Sequence, residues 1–130
     1  PLQGLSNVIL TPHIGGSTVE AQENIGLDVT GKIIQYLETG SSTGSLSVPA
    51  LSLPVQHDTH RLLHIHANRP GVLGEINSKL SKLKVNILGQ YLQTNTEIGY
   101  VVTDCDRKTS GKALEELQKV KHTIRVRNLY

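Results

Sequence analysis

Hydrophobic patterning along the 130 residues predicts an α+β fold. Three observations carry this. From about residue 57 onward, period-2 and period-3.6 patterns alternate in the order β-α-β-β-α-β, two similar halves. Each helix of that stretch has one apolar stripe, enough to cover one face of a four-stranded antiparallel sheet. A small, polar run at residues 40–47 sets this unit apart from a strand–helix segment before it.

The elements follow in order. Residues 7–12, Asn-Val-Ile-Leu-Thr-Pro, are expected as a short buried strand stopped by Pro12. His13 then lies on a turn with Gly15 and Gly16. Ser17-Thr18-Val19-Glu20 has capping-box spacing. Ala21, Ile25, Val29, Ile33 and Leu37 recur every four residues, the stripe of an amphipathic helix ending near a Gly40 C-cap. Residues 40–47 read as a flexible linker, and Val48–Val55 as extended chain stiffened by Pro49 and Pro54.

In the second unit, residues 61–67 alternate, with Arg61, Leu63, Ile65 and Ala67 on one face and Leu62, His64 and His66 on the other. Pro70-Gly71 starts a helix carrying Val72, Leu73, Ile76, Leu80 and Leu83. A strand from Val85 to Gln93, a polar turn at 94–96 and a strand from Ile98 to Thr103 come next. A helix with Ala113, Leu114, Leu117 and Val120 leads to a last strand, Thr123 to Leu129. The order is that of a ferredoxin-like sandwich with its second face and edges open to partners or ligands. The domain reading is therefore residues 1–40, a remnant of a larger body; 41–56, a linker or hinge; and 57–130, the folded unit. Pro1 at the start and the absence of methionine favour a piece of a longer protein.

Composition excludes several functions. Thirteen Lys+Arg against eleven Asp+Glu is too balanced for a phosphate-backbone partner, and 3% aromatics is too few for stacking nucleic-acid bases. The single cysteine, Cys105, rules out an internal disulfide or a thiolate zinc site. No apolar run approaches the ~20 residues of a membrane span, and no signal peptide opens the chain, so a cytoplasmic protein is expected.

Two places could carry chemistry. His13, on a glycine-flanked turn, suits acid–base work but has no evident carboxylate partner nearby. At Leu63–Leu73 a strand ends at His66, turns through Asn68 and enters a helix whose first amides (Gly71, Val72, Leu73) suit a carboxylate. His66 and Asn68 add donors and acceptors, a set for holding a small zwitterion; the plainer role for Asn68 is a helix cap. His60, His64 and His66 share strand parity, but His60 and His64 would be about 13 Å apart, too far for one ion. A solvated face is the default for His64 and His66, and a solvated edge for Arg125 and Arg127. No metal is expected. Asn86 opens the second strand of this unit. No GxGxxG, Walker or GxSxG motif occurs.

Asn7-Val8-Ile9-Leu10-Thr11-Pro12-His13-Ile14-Gly15-Gly16-Ser17-Thr18, continuing through Glu20-Ala21-Gln22, resembles the end of the catalytic region of D-2-hydroxyacid dehydrogenases. His64–Leu73, Val85-Asn86-Ile87 and Gln90–Thr94 are similar to an ACT regulatory domain. Together, with Thr123–Arg127, they resemble the C-terminal part of the serine-inhibited members of that family. The resemblance implies a parent that oxidises 3-phosphoglycerate with NAD, with His13 as its catalytic acid/base. The NAD loop, catalytic arginine and carboxylate partner would lie upstream, so no cofactor is expected in this chain. It also implies ACT domains paired edge to edge as a homodimer, within a homotetrameric parent. L-serine would sit at that seam, held by His66 and Asn68 of one subunit and Asn86 of the other. Ala67 departs from a family pattern in which Glu is common. The second reading is a free-standing ACT-type amino-acid sensor or interaction module without an enzymatic parent.

Overall fold

The computed structural model describes residues 2–107 and 110–129, apart from the side chain of Ser110. Helix α1 spans Val19–Thr39, followed by β1 (His60–Ala67), α2 (Val72–Lys82), β2 (Ile87–Thr94), β3 (Ile98–Cys105), α3 (Ser110–Gln118) and β4 (Thr123–Leu129). The strands form one antiparallel sheet in the order β2-β3-β1-β4, which is the expected sandwich. Strand alternation sorts the core into two layers. On the helix side Leu62, Val101 and Cys105 pack with Val72, Ile76, Leu80, Ala113, Leu117 and Val120. On the other side Leu63, Tyr100, Val102 and Leu129 pack with Leu53.

That second face is not open, in contrast to the expectation. The Ser/Gly segment and the end of α1 fold back over it. Ser41 and Ser42 are buried, and their hydroxyls satisfy the chain that returns past them. The Ser42 hydroxyl donates to Pro49 O (2.7 Å) and accepts from Leu51 N (2.9 Å), and that of Ser41 accepts from Leu53 N (3.0 Å). These bonds convert a composition that reads as a tether into a closed strap, because they supply the backbone partners a free linker would take from water. Gly40 makes the tight entry. Its φ is 76°, and a Cβ there would lie 2.6 Å from Leu63 Cδ2. Its carbonyl accepts from the buried Tyr100 hydroxyl at 2.6 Å.

The N-terminal strand expected over 7–12 does not form. These residues have no strand beside them to complete a ladder, and Ile9 is 92% exposed. The α1 cap is Thr18 rather than Ser17, its hydroxyl accepting from Ala21 N at 3.1 Å. The C-cap at Gly40 is as expected. No residue of α1 is buried, and Ile25, Val29, Ile33 and Leu37 stand about half exposed. The stripe is present, but what should cover it is not among the described residues.

Candidate functional site

The candidate site lies where β1 ends and α2 begins. Gly71 caps α2 in the left-handed region (φ 90°), and no side chain caps that end; the Asn68 carboxamide instead donates to Asn95 O at 2.7 Å. Of the three expected amides, Val72 N makes a long bond to Arg69 O (3.4 Å), while those of Gly71 and Leu73 have no partner among the described residues. Two donors at the positive end of a helix dipole are thus left for an anion.

His66, near the end of β1 that leads into this turn, is 3% exposed. Its Nδ1 lies 2.8 Å from Ala67 O, an atom that can only accept, so the neutral ring carries its proton on Nδ1. Nε2 is then a bare acceptor, buried and without a partner. A buried polar atom left so carries a desolvation cost that a ligand's ammonium or hydroxyl would offset.

His64 is equally buried, which corrects the expected solvated face for this pair: Leu62, on the same strand parity, already points into the helix-side core. His64 Nε2 lies 2.9 Å from Thr123 Oγ1, whose own proton goes to Val120 O at 2.7 Å. His64 is therefore a donor through Nε2, leaving Nδ1 without a partner. The two rings are 5.5 Å apart. Burial, and then the proximity of His66, lowers the His64 pKa from 6.5 to about 4.

Above pH 6.5 the ring is neutral in both folded and unfolded chains. Between 6.5 and about 4 only the unfolded chain binds the proton, so stability falls by about 1.4 kcal/mol per pH unit, about 3 kcal/mol in all. Urea unfolding from pH 7.5 to 4 is expected to show this slope and to lose that component in His64→Gln. Equal slopes for the two proteins would contradict it.

The structure separates Asn86 from this pair. His66 pairs with Gly99, whereas Ile87, next to Asn86, pairs with Cys105. Six residues along β3 place Asn86 roughly 20 Å away, at the opposite end of the sheet. His13 is exposed on the turn before α1, whose 21 residues span about 30 Å from there to Gly40. Among the described residues no three His, Cys, Asp or Glu side chains converge as metal ligands. No helix of the described residues is long and apolar enough to cross a membrane. Arg125 is exposed; Arg127 instead donates to Leu37 O at 2.9 Å and lies over the Tyr36 ring.

Sequence reasoning did not find the Arg61–Asp104 pair or the placing of Gly99 against His66. Register across strands makes both, and local spacing carries no sign of it.

Residues 62–125 match the family described as the AHAS small subunit-like ACT domain. Sheet order and helix placement in this part of the chain are those of a ferredoxin-like α+β unit, consistent with the ACT fold of that match. Over its whole length the chain is similar to the C-terminal region of D-3-phosphoglycerate dehydrogenases. It is 51% identical over 130 residues to that of Haemophilus influenzae and 52% identical over 132 residues to that of Escherichia coli K12, in each case with 100% of this chain and 32% of the relative covered. The Dictyostelium discoideum enzyme is 46% identical over 129 residues, 99% of this chain and 31% of the relative. The chain thus spans about a third of the length of the curated relatives it matches.

Proposed function

We propose that this chain is the regulatory C-terminal region of an NAD-dependent dehydrogenase that oxidises 3-phosphoglycerate to 3-phosphohydroxypyruvate, and that its ACT domain binds L-serine as a feedback inhibitor. Similarity over the whole of this chain supports the parent, and the observation that carries the effector is the buried, unpartnered Nε2 of His66 at the end of the strand that leads to the open α2 amides. The serine carboxylate meets the amides of Gly71 and Leu73, with Val72 between them; its ammonium and hydroxyl meet His66 Nε2 and Asn68. This is a site that recognises a zwitterion and breaks no bond.

Asn86 completes it from a second subunit. Strands β1 and β2 run parallel, both antiparallel to β3, so Asn86 lies at the end of the sheet opposite His66. An antiparallel β2–β2 pairing about a two-fold axis turns the partner's strand around and brings its Asn86 to the His66 end. The edges differ in a way that favours this seam. Strand β2 (ILGQYLQT) has neither charge nor proline and exposes Leu88 and Leu92, whereas β4 carries Arg125 and Arg127. Seam closure then biases how the ACT domains sit relative to the catalytic body, which is how the effector is coupled to turnover in a homotetrameric parent. NAD and substrate are held upstream; the residues present include no dinucleotide loop, and His13 becomes the acid/base only when the upstream carboxylate joins it. The parent is placed in the cytoplasm.

A free-standing sensor would not account for residues 1–40, where the relatives also align. Isothermal titration of the chain with millimolar L-serine is expected to give saturable heat. The same sample is expected to reduce no NAD in the presence of 3-phosphoglycerate. Absence of heat, with no thermal shift, overturns the effector; measurable turnover overturns the inactivity of the chain alone.

A further inference from the structure

Gly99 faces His66 directly across the β1–β3 ladder, so the two project from the same, helix-covered face of the sheet. Glycine is a poor strand residue, conformationally costly and with nothing to pack. Its backbone here is not in the left-handed region, so no dihedral demands glycine. What demands it is space. A Cβ at 99 would overlap Cε1 and Nε2 of the His66 ring and lie 3.0 Å from Nδ1. The ring cannot drift aside cheaply. It is 3% exposed, tied through Nδ1 to Ala67 O, with the His64 ring 5.5 Å away.

We propose that Gly99 is a positioning residue that seats His66: the missing Cβ lets the imidazole lie across the β3 backbone, which fixes where Nε2 presents its lone pair. A side chain at 99 displaces the ring, and the Nδ1 bond to Ala67 O goes with it. The consequence for a ligand rests on the effector reading above; the seating itself does not.

The test compares Gly99→Ala, His66→Ala and the double variant in the full chain. In the unligated protein, nitrogen NMR of His66 is expected to show the Nδ1-protonated tautomer, and Gly99→Ala to move those signals toward a mobile, averaged ring. Gly99→Ala is expected to lower the urea midpoint in the native background and to leave it unchanged or raise it in His66→Ala, where alanine only improves the strand. Titration with L-serine is expected to weaken about tenfold or more in Gly99→Ala. Unmoved His66 signals, or an equal midpoint loss in both backgrounds, overturn the proposal whatever L-serine does. A moved ring in a chain whose unaltered form binds no L-serine supports the seating and overturns the effector reading.

Discussion

Asp104→Ala is expected to cost about 3–5 kcal/mol of folding stability. Arg61 and Asp104 are 0% and 1% exposed, and they meet through two bonds, Nε to Oδ1 at 2.6 Å and Nη2 to Oδ2 at 2.8 Å. The same guanidinium donates through Nη1 to Thr39 O (2.7 Å) and through Nη2 to Pro54 O (2.9 Å). One planar cation thus joins β1, β3, the end of α1 and the end of the strap. It also sits at the negative pole of the α1 dipole. Removing the carboxylate takes the two-bonded counter-charge from a buried cation, the expensive case, whereas removing both charges does not. The double variant Arg61→Met, Asp104→Leu is therefore expected to regain most of the lost stability while releasing α1 and the strap. Arg61→Lys is expected to fail as a substitute, because one ammonium cannot reproduce the fork. Urea unfolding of the three variants checks this; a loss below about 1 kcal/mol in Asp104→Ala contradicts it.

How far the sequence reaches is clear from particular residues. The four strands and two helices of the second unit follow largely from period, helped by Pro70-Gly71 before α2 and the polar turn between β2 and β3. Gly40 is legible as a cap because the apolar stripe stops just before it. The strand over 7–12 is not, because an apolar run becomes a strand only where a neighbour completes its ladder, and none does here. Ser41 and Ser42 read as tether residues because composition cannot show that their hydroxyls will bond extended chain returning 9 and 12 residues later. His64 and His66 look solvated by polarity, although Leu62 on the same parity is the signal that places them inside. Arg61 is the clearest limit: its partner is 43 residues away, and only register brings the two together.

The second large effect is on binding. His66→Ala and Asn86→Ala are each expected to weaken L-serine at least about 100-fold, the loss of a buried polar contact or more. Their stabilities should differ in an informative way. Asn86 is exposed, and its backbone carbonyl, which accepts from Asp106 N, survives the substitution, so Asn86→Ala is expected to fold as well as the native chain within about 0.5 kcal/mol. Loss of binding without loss of stability marks Asn86 as a ligand contact rather than a support.

Mixing the two variants tests the central claim, that each effector site is built from two copies of the chain. Equal amounts of His66→Ala and Asn86→Ala chains, unfolded and refolded together, give mixed dimers in which one site carries both changes and the other carries neither. The account predicts that titration with L-serine finds no saturable heat in either variant alone and recovers about a quarter of the native site number, at native affinity, in the mixture. No recovery in the mixture, or native binding by either variant alone, would contradict a site shared across the seam.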